Sequence, residues 1–497
     1  LTKTLEEALE GVALRQPLRP EWKNLVVTGV AFDSRKVKPG NLFAAFVGAK
    51  TDGRAHAPQA RQRGAVAVMS ELGALAEDEG PWIEVVHGRE ALATVCRNVF
   101  GPVENRLQLT GVTGTNGKTT FTYVFDALLR HAGKRTGVLG TIGNVIAGEV
   151  VKAVNTTPES VDLYELFERL EERGATHVTM EVSSHALALR RVFALEFHTV
   201  VFTNLSQDHL DFHTSMEEYF EAKKRLFFAN GAGAPRWAVL NQDDAWARQI
   251  EPAAPTEVLT YGLDAGAAVR ADGITTSFDG LTFRLSYRGE EVTVRSPLMG
   301  LINVYNILAA CAAGISYGFS LDMIAAGIAN CEAVPGRFER VDEGQPFLVI
   351  VDYAHTPDAL RNAIAVARSL KPKRVITLFG CGGDRDRAKR PLMGMAAAEL
   401  SDFVVLTSDN PRSEEPLNIL NDAMVGLRRH DTPHLVEVDR TTGIRKALRE
   451  ARPGDVVLLA GKGHETYQVL QDKTIDFDDR EVARGILKES GFKRKRA

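Results

Sequence analysis

Residues 106–133 read RLQLTGVTGTNGKTTFTYVFDALLRHAG, and no other stretch constrains the fold as strongly. An apolar run ending at Val112 has the composition of a buried strand. Gly114-Thr115-Asn116-Gly117-Lys118-Thr119-Thr120 follows as a glycine-rich turn. Phe121, Val124, Phe125 and Leu128 then recur at helical spacing, and Gly133 supplies a stop. Strand, glycine turn and helix in this order belong to an α/β architecture. The turn also implies a chemistry. Backbone N–H groups at a helix N-terminus suit phosphate oxygens. Lys118 can reach terminal phosphates and Thr119 can ligate Mg2+. The spacing is the short G-x-x-G-K-T form, because the full pattern would place a glycine where Val112 stands. ATP or GTP binding is expected; the turn alone does not name the reaction.

Strand–loop–helix units recur on both sides of this loop. Before it, NLFAAFVG and AVAVMS flank a helix-like stretch from Ala57 to Arg63, which reads as a small α/β domain ending near residue 88. After it, THVTMEVSS and HTVVFTNLS are further strand candidates. Residues from about 235 to 300 alternate like antiparallel strands and read as a hairpin insertion, before GLINVYNILAACAAGISYG returns to helical spacing. Pro335-Gly336 punctuates the chain. Beyond it, FLVIVDYAHTPD, RVITLFGCGGDRDR, DFVVLTSDNPR and DVVLLAGKGHE each put a charged or glycine-rich loop after a dense apolar run. Runs this apolar suit strands buried on both faces of a parallel sheet. Ligands of such sheets bind just beyond the strand C-termini. The expected domains are therefore 1–88, 89–334 and 335–497.

Composition narrows the class without deciding it. The 497 residues are 44% hydrophobic and 25% charged, with a formal net charge of −4. That balance gives no general attraction to nucleic acid or anionic membrane. The closing KRKRA reads as a solvated terminus. Cys96, Cys311, Cys331 and Cys381 form no C-x-x-C pair, so a reducing compartment is expected and a disulfide framework is not. No apolar run is long enough for a membrane span, and no export signal is visible, although the chain begins at Leu1 rather than Met. A cytoplasmic enzyme, monomeric and without nucleic-acid partners, is the expectation.

Several nucleotide-binding classes are excluded by what is missing. The guanine-reading N-K-x-D signal is absent, and so is the H-R-D motif of protein kinases. Other residues gather near the strand ends instead. Glu181, at the end of a strand, can bring a carboxylate to a metal near the phosphates. Asp208, His209, Asp211 and His213 follow the next strand, either as site residues or as simple caps and hydrogen-bond partners. Lys223, Lys224 and Arg225 in YFEAKKRLFF, read alone, form a solvated helix face.

Taken in order, FDSRKVKPGNLFAAFVGAKTDG, GVTGTNGKTT, NTTP, EVSSHAL, VFTNLSQDHLDFH, EAK, GLINVYNILAA, VPGRFE, VDYAHTPD, GCGGDRDRAKRPLMG, SDNPRSEEP and AGKGHE resemble the Mur ligase family over nearly the whole chain. These are ATP-dependent amide-forming ligases of peptidoglycan precursor synthesis. The resemblance implies three domains: a UDP-binding N-terminal one, a central ATPase with a mostly parallel sheet, and a C-terminal Rossmann-like one. It implies a reaction in which ATP, UDP-MurNAc-L-Ala-D-Glu and an amino acid give the tripeptide, ADP and phosphate through an acyl phosphate. Thr113 to Thr120, namely Thr113, Gly114, Thr115, Asn116, Gly117, Lys118, Thr119 and Thr120, together with Asn303, Arg337 and Asp352, match family positions that contact ATP. Tyr353 and His355 are either helpers there or structural. Lys118, Glu181, His209 and Lys223 match the catalytic set. Thr119, Glu181, His209 and Lys223 match the Mg2+ site, with Lys223 carbamylated by CO2.

For the nucleotide-sugar substrate, Ser34 and the loop from Gly48 to Asp52 match the uridine-diphosphate end. Asn155, Thr156, Thr157, Ser183 and Arg191 match the muramoyl-dipeptide end. Leu189 departs from the pattern, since many members carry glutamine there. Asp409-Asn410-Pro411-Arg412 is the form of the family's selectivity motif that goes with meso-diaminopimelate. Arginine can clamp the second carboxylate of that amino acid, which lysine lacks. Arg385, Gly461 and Glu465 match the remaining amino-acid contacts. L-Lysine and L-ornithine stay open as alternative substrates. A folylpolyglutamate synthetase-like ligase and a nucleotide-binding protein that no longer turns over are the rival readings.

Overall fold

The structure is a computed structural model and describes residues 2–48, 51–75, 80–146, 148–210 and 212–493. The chain forms two compact units. One comprises residues 1–271, 285–292 and 305–328, and the other comprises 272–284, 293–304 and 329–497. Among the described residues no helix is long and apolar enough to cross a membrane.

Beside a short two-stranded pairing of Lys3–Thr4 with Val26–Val27, the first unit is built on two larger sheets. Strands Gly29–Ala31, Asn41–Ala44, Ala67–Ser70 and Trp82–Glu84 pair in parallel as a four-stranded sheet. The predicted helix beside it spans Ala57–Gln62. The larger sheet is centred on Gln108–Thr113, with His177–Glu181 and Thr199–Phe202 as its two parallel neighbours. Gln108–Thr113 is buried from Leu109 onward, which is why it lacks the alternation of a one-faced strand. Helix Lys118–His131 buries Phe121, Val124, Phe125 and Leu128, the stripe expected from spacing. One continuous core runs from Leu5 through Val95 and Phe167 to Ile250, so the first hundred residues and the phosphate-loop region share their apolar interior.

The expected hairpin insertion needs correcting. Trp237–Asn241 and Glu257–Gly262 extend the large sheet in parallel. Ala238 to Asn241 are buried without a break, unlike a solvent-facing hairpin. Only Val269–Ser277, Gly280–Tyr287 and Glu290–Ser296 form the meander, and their burial alternates as the sequence suggested.

The second unit is built on a six-stranded sheet. Its order is Glu339–Val341, Leu348–Asp352, Val456–Ala460, Val375–Phe379, Phe403–Thr407, His434–Glu437. All pairings but the first are parallel. The four apolar runs are its four central strands, and each is buried on both faces. Leu348 and Ile350 face one core with Leu360, Met393 and Ile419. Val349 and Val351 face the other, with Ile444 and Ile486. Helices therefore cover both sides, as in a doubly wound sheet. His434–Glu437 adds an edge strand that the sequence does not mark, because it is only half buried and carries no apolar run.

Candidate functional site

In the first unit, the phosphate loop is shaped by its glycines and by the segment after Phe202. Gly117 adopts φ 89° at the head of helix Lys118–His131. A Cβ on Gly114 would lie 1.9 Å from Thr203 Oγ1, and one on Gly117 would lie 2.3 Å from Asn306 Oδ1. Both positions therefore exclude a side chain. Thr203 Oγ1 donates to Asn116 O at 2.6 Å. Thr115 N–H donates to Asn204 O, and Asn116 N–H donates to Asn204 Oδ1. No side chain caps the helix, so its first-turn amides keep the direction and the partial positive charge that suit an anion.

Three of the four expected catalytic residues converge on this loop. Lys118 Nζ folds over it, donating to Gly114 O at 2.9 Å and Thr115 O at 2.8 Å. Lys223 Nζ donates to the same Gly114 O at 2.9 Å. Glu181 is buried, and its Oε1 accepts from Thr119 Oγ1 and from the Thr141 amide, each at 2.9 Å. Thr141 Oγ1 donates to Oε2 at 3.0 Å. His209, the fourth, sits in the left-handed region at φ 53°. Its ring lies 4.9 Å from that of His185 and 6.0 Å from that of Tyr219. Tyr219 in turn reaches Thr115 Oγ1 at 3.2 Å. Burial lowers the His209 pKa, aided by His185, Lys118 and Lys223 and opposed by Asp208. His213 is buried beside Tyr219, with ring centroids 5.1 Å apart. Asp211 lies outside the described residues, as do Ala49 and Lys50 of the Gly48–Asp52 loop and the end of the basic tail.

Lys223 corrects the solvated-face reading. Its side chain is 1% exposed, its Nζ stands 4.5 Å from the centre of the Tyr219 ring, and its pKa falls well below the ordinary lysine value. Burial is the main cause and the neighbouring Lys118 adds to it. Lys224 and Arg225 keep partial exposure, so the charge run hides one inward-facing residue among outward-facing ones.

The residues matched to the muramoyl-dipeptide gather close to Glu181. Thr157 Oγ1 donates to Glu181 O at 2.9 Å, and Ser183 N–H donates to Thr157 Oγ1. Thr156 Oγ1 is 3.1 Å from Thr141 Oγ1. Arg191 donates to Thr157 O and to Glu159 Oε1, both at 2.9 Å, while Arg89 holds the same Glu159. Asn155 is exposed, and Leu189 caps the helix Ser184–Ala188 through its backbone. Ser34 lies elsewhere in the unit, where its hydroxyl donates to Gln59 Oε1 at 2.6 Å.

The second unit carries its own cluster beyond the strand C-termini. Asp352 accepts from the Phe338 amide at 2.7 Å and the Ala354 amide at 2.9 Å. Burial raises its pKa, and Arg337 and those amides oppose the rise. The Arg337 guanidinium stands 5.0 Å from the centre of the Tyr353 ring, which also touches His355 and His464. Asn303 donates to Met299 O at 2.8 Å. Farther along the crest, Gly461 has φ 115°, and a Cβ there would lie 2.7 Å from Asp409 Oδ2. Arg412 donates to Gly383 O at 2.7 Å. A Cβ on Gly382 would lie 2.9 Å from Arg412 Nη1 and 3.6 Å from Arg385 Cγ, so the two arginines flank one glycine. Neither makes an ion pair among the described residues.

Several contributors carry no local signal in the sequence. Asn204 and Tyr219 shape the phosphate loop through contacts 88 and 104 residues away. Arg440 and Asp479 pair at 2.6 Å with both side chains fully buried. Arg440 also donates to Ser408 O and Ala460 O, tying together the ends of two strands that lead into the crest loops.

Three segments of the chain match models of one protein family. Residues 26–99 match the Mur ligase family catalytic domain, 112–314 the Mur ligase middle domain, and 336–463 the Mur ligase glutamate ligase domain. The chain is 62% identical over 488 residues to the UDP-N-acetylmuramoyl-L-alanyl-D-glutamate--2,6-diaminopimelate ligase of Solibacter usitatus (strain Ellin6076), covering 98% of this chain and 99% of that one. It is 46% identical to the protein of the same description from Geobacillus thermodenitrificans (strain NG80-2), over 93% and 95% of the two chains. A solved structure of such a ligase superposes with a TM-score of 0.72 at 33% identity, covering 99% of this chain and all of the other.

Proposed function

The chain belongs to the Mur ligase family, and from that membership we propose that it joins meso-2,6-diaminopimelate to the D-Glu of UDP-MurNAc-L-Ala-D-Glu at the expense of ATP. The observation that carries this reading is Arg412, anchored on Gly383 O with the Arg385 stem on the same Gly382, next to a relative of 62% identity described as a diaminopimelate ligase. Arginines with no carboxylate partner among the described residues suit an amino acid with a second carboxylate. We read the chain functionally as 1–88 for the nucleotide end of the substrate, 89–334 for ATP and 335–497 for the amino acid.

The γ-carboxylate of D-Glu attacks the γ-phosphorus of ATP, forming one O–P bond as the bond to ADP breaks. The amine then attacks the acyl phosphate carbonyl, a C–N bond forms, and phosphate leaves. Both early reactants are anionic, so their charge must be offset first. Lys118 and the first-turn amides of its helix supply part of that offset. Thr119 and Glu181 present buried oxygens 2.9 Å apart, a donor type that suits Mg2+. Among the described residues no three His, Cys, Asp or Glu side chains gather as a ready metal set. That sparse set fits an ion that takes most of its ligands from phosphate and water. Bound there by Thr119, Glu181, His209 and Lys223, Mg2+ would neutralise phosphate charge.

The state of Lys223 supports its carbamylation. Burial, with the neighbouring Lys118, holds the Lys223 pKa well below its usual value and so favours the neutral amine, the form that adds CO2. The N–C bond forms with loss of a proton and leaves a carboxylate. An anion then stands beside Lys118 where a second cation would be repelled. The test is phosphate release with UDP-MurNAc-L-Ala-D-Glu, ATP, Mg2+ and bicarbonate, comparing meso-diaminopimelate, L-lysine and L-ornithine. We expect kcat/KM to favour diaminopimelate by at least about a hundredfold. Turnover with lysine or ornithine alone would keep the ligase and overturn the amino acid. No turnover with any of the three would overturn the substrate assignment.

A further inference from the structure

Lys462 is fully buried, yet its Nζ lies in the wall of the candidate amino-acid site. It donates to Glu465 Oε2 at 3.0 Å and to Asn410 Oδ1 at 3.2 Å. Asn410 is the hub of this contact. Its Nδ2 donates to the same Glu465 Oε2 at 2.9 Å, and its Oδ1 also accepts from the Val469 amide at 2.9 Å. Two donors on Oδ1 and one acceptor on Nδ2 leave only one amide orientation. Further bonds stitch the same two loops: Gln468 Nε2 to Asp409 O at 2.7 Å and Arg412 N–H to Val469 O at 3.1 Å. Both donors to Glu465 fall on Oε2. Among the described residues Oε1 has no partner, and the Glu465 side chain is 14% exposed.

We propose that Lys462 is a positioning residue for amino-acid selection, locking Glu465 through Oε2 so that Oε1 alone receives the ammonium group of the incoming amino acid. The proposal rests on the reading of this crest as the amino-acid site. A carboxylate whose two oxygens could both turn outward would accept an ammonium in several poses. With one oxygen committed to a buried cation, a single pose remains, and it is fixed relative to Arg412 on the partner loop. A fixed distance between one anionic acceptor and one cationic fork is what distinguishes an amino acid carrying charges at both ends. The buried ammonium also compensates Glu465, so the carboxylate does not have to find a cation of its own in the ligand's absence of contact.

The test is a double-mutant cycle on the full-length protein, using whichever amino acid the wild type accepts. Lys462→Met should raise KM for that amino acid about tenfold or more while KM for ATP and for UDP-MurNAc-L-Ala-D-Glu changes little. Glu465→Gln should raise the same KM. Adding Lys462→Met to Glu465→Gln should cost less than about threefold more, because the lysine acts through the carboxylate. Lys462→Gln keeps a donor without the charge and should fall between wild type and Lys462→Met; it also carries the test if the methionine variant does not fold. Fully additive effects, or a loss spread equally over all three substrates, would overturn the positioning role. If Glu465→Gln leaves the amino-acid KM unchanged, the reading of the crest fails. If Glu465→Gln raises it and the Lys462 variants do not, only the proposal for Lys462 fails.

Discussion

Arg412 concentrates the specificity question in one side chain. It sits in the left-handed region at φ 54°, and its Nη1 is anchored on Gly383 O. The anchor fixes the plane of the guanidinium and leaves its other N–H groups for a ligand. Removing a charge-assisted bidentate contact is worth roughly one to two orders of magnitude in discrimination. Arg412→Ala should therefore lower the ratio of kcat/KM for meso-diaminopimelate over L-lysine by about 10- to 100-fold, with little change in the KM for ATP. Arg412→Lys should recover only part of that ratio, since an ammonium lacks the planar fork. Steady-state phosphate release with the two amino acids measures both. An unchanged ratio in Arg412→Ala would remove the clamp from the explanation. The motif Asp409-Asn410-Pro411-Arg412 is legible in the sequence, but the approach of Arg412 and Arg385 to the same Gly382 is not, because the 26 residues between the two arginines have first to fold.

The crest loops depend on elements held in register beneath them. Phe403–Thr407 and Val456–Ala460 are not adjacent in the sheet, since Val375–Phe379 lies between them. Arg440 nevertheless bonds Ser408 O and Ala460 O at once and is neutralised by Asp479. Removing one partner of a buried ion pair costs on the order of 3–5 kcal/mol, because the other charge stays buried. Asp479→Asn should thus lower amide protection at the C-terminal ends of those two strands in hydrogen-exchange measurements, and lower urea resistance of the second unit. Undiminished protection there would show that the strand ends are held by their ladder alone. Sequence could locate the four strands, whose apolar runs are continuous. It could not pair Arg440 with Asp479, because a helix N-terminal arginine and a helix N-terminal aspartate 39 residues apart look like two surface charges. The same limit applies to the parallel strands Trp237–Asn241 and Glu257–Gly262, expected from sequence within a hairpin insertion: alternation is a local pattern, and only packing decides which faces are covered.

At the scale of the molecule, stability should depend on pH through two histidines remote from the phosphate loop. His177 and His198 pack against the Tyr317 ring, with centroids 5.4 Å and 4.0 Å away. Burial pushes both pKa values down to about 4, with Lys134 adding for His177 and Arg236 for His198. An unfolded histidine titrates near 6.5, so below that pH the unfolded chain binds the extra protons. Their contribution to stability is therefore present above about pH 6.5 and is lost as pH falls toward 4. Denaturant unfolding of the first unit at pH 7 and pH 5 should reveal the loss, and His177→Gln with His198→Gln should flatten it. An equally steep dependence in the double variant would assign it to other groups. What the sequence determined by itself was the α/β class, the strand–turn–helix of the phosphate loop, the family motifs and their order, because these rest on local spacing and on residue types that few other structures need. What only the tertiary structure decided was which side of a helix or loop faces inward. It buried Lys223 beside Gly114, set Asn204 against the phosphate loop and closed Lys462 behind Glu465. A charged residue's chemistry is set by its solvation and its neighbours, and both are fixed only when distant segments pack.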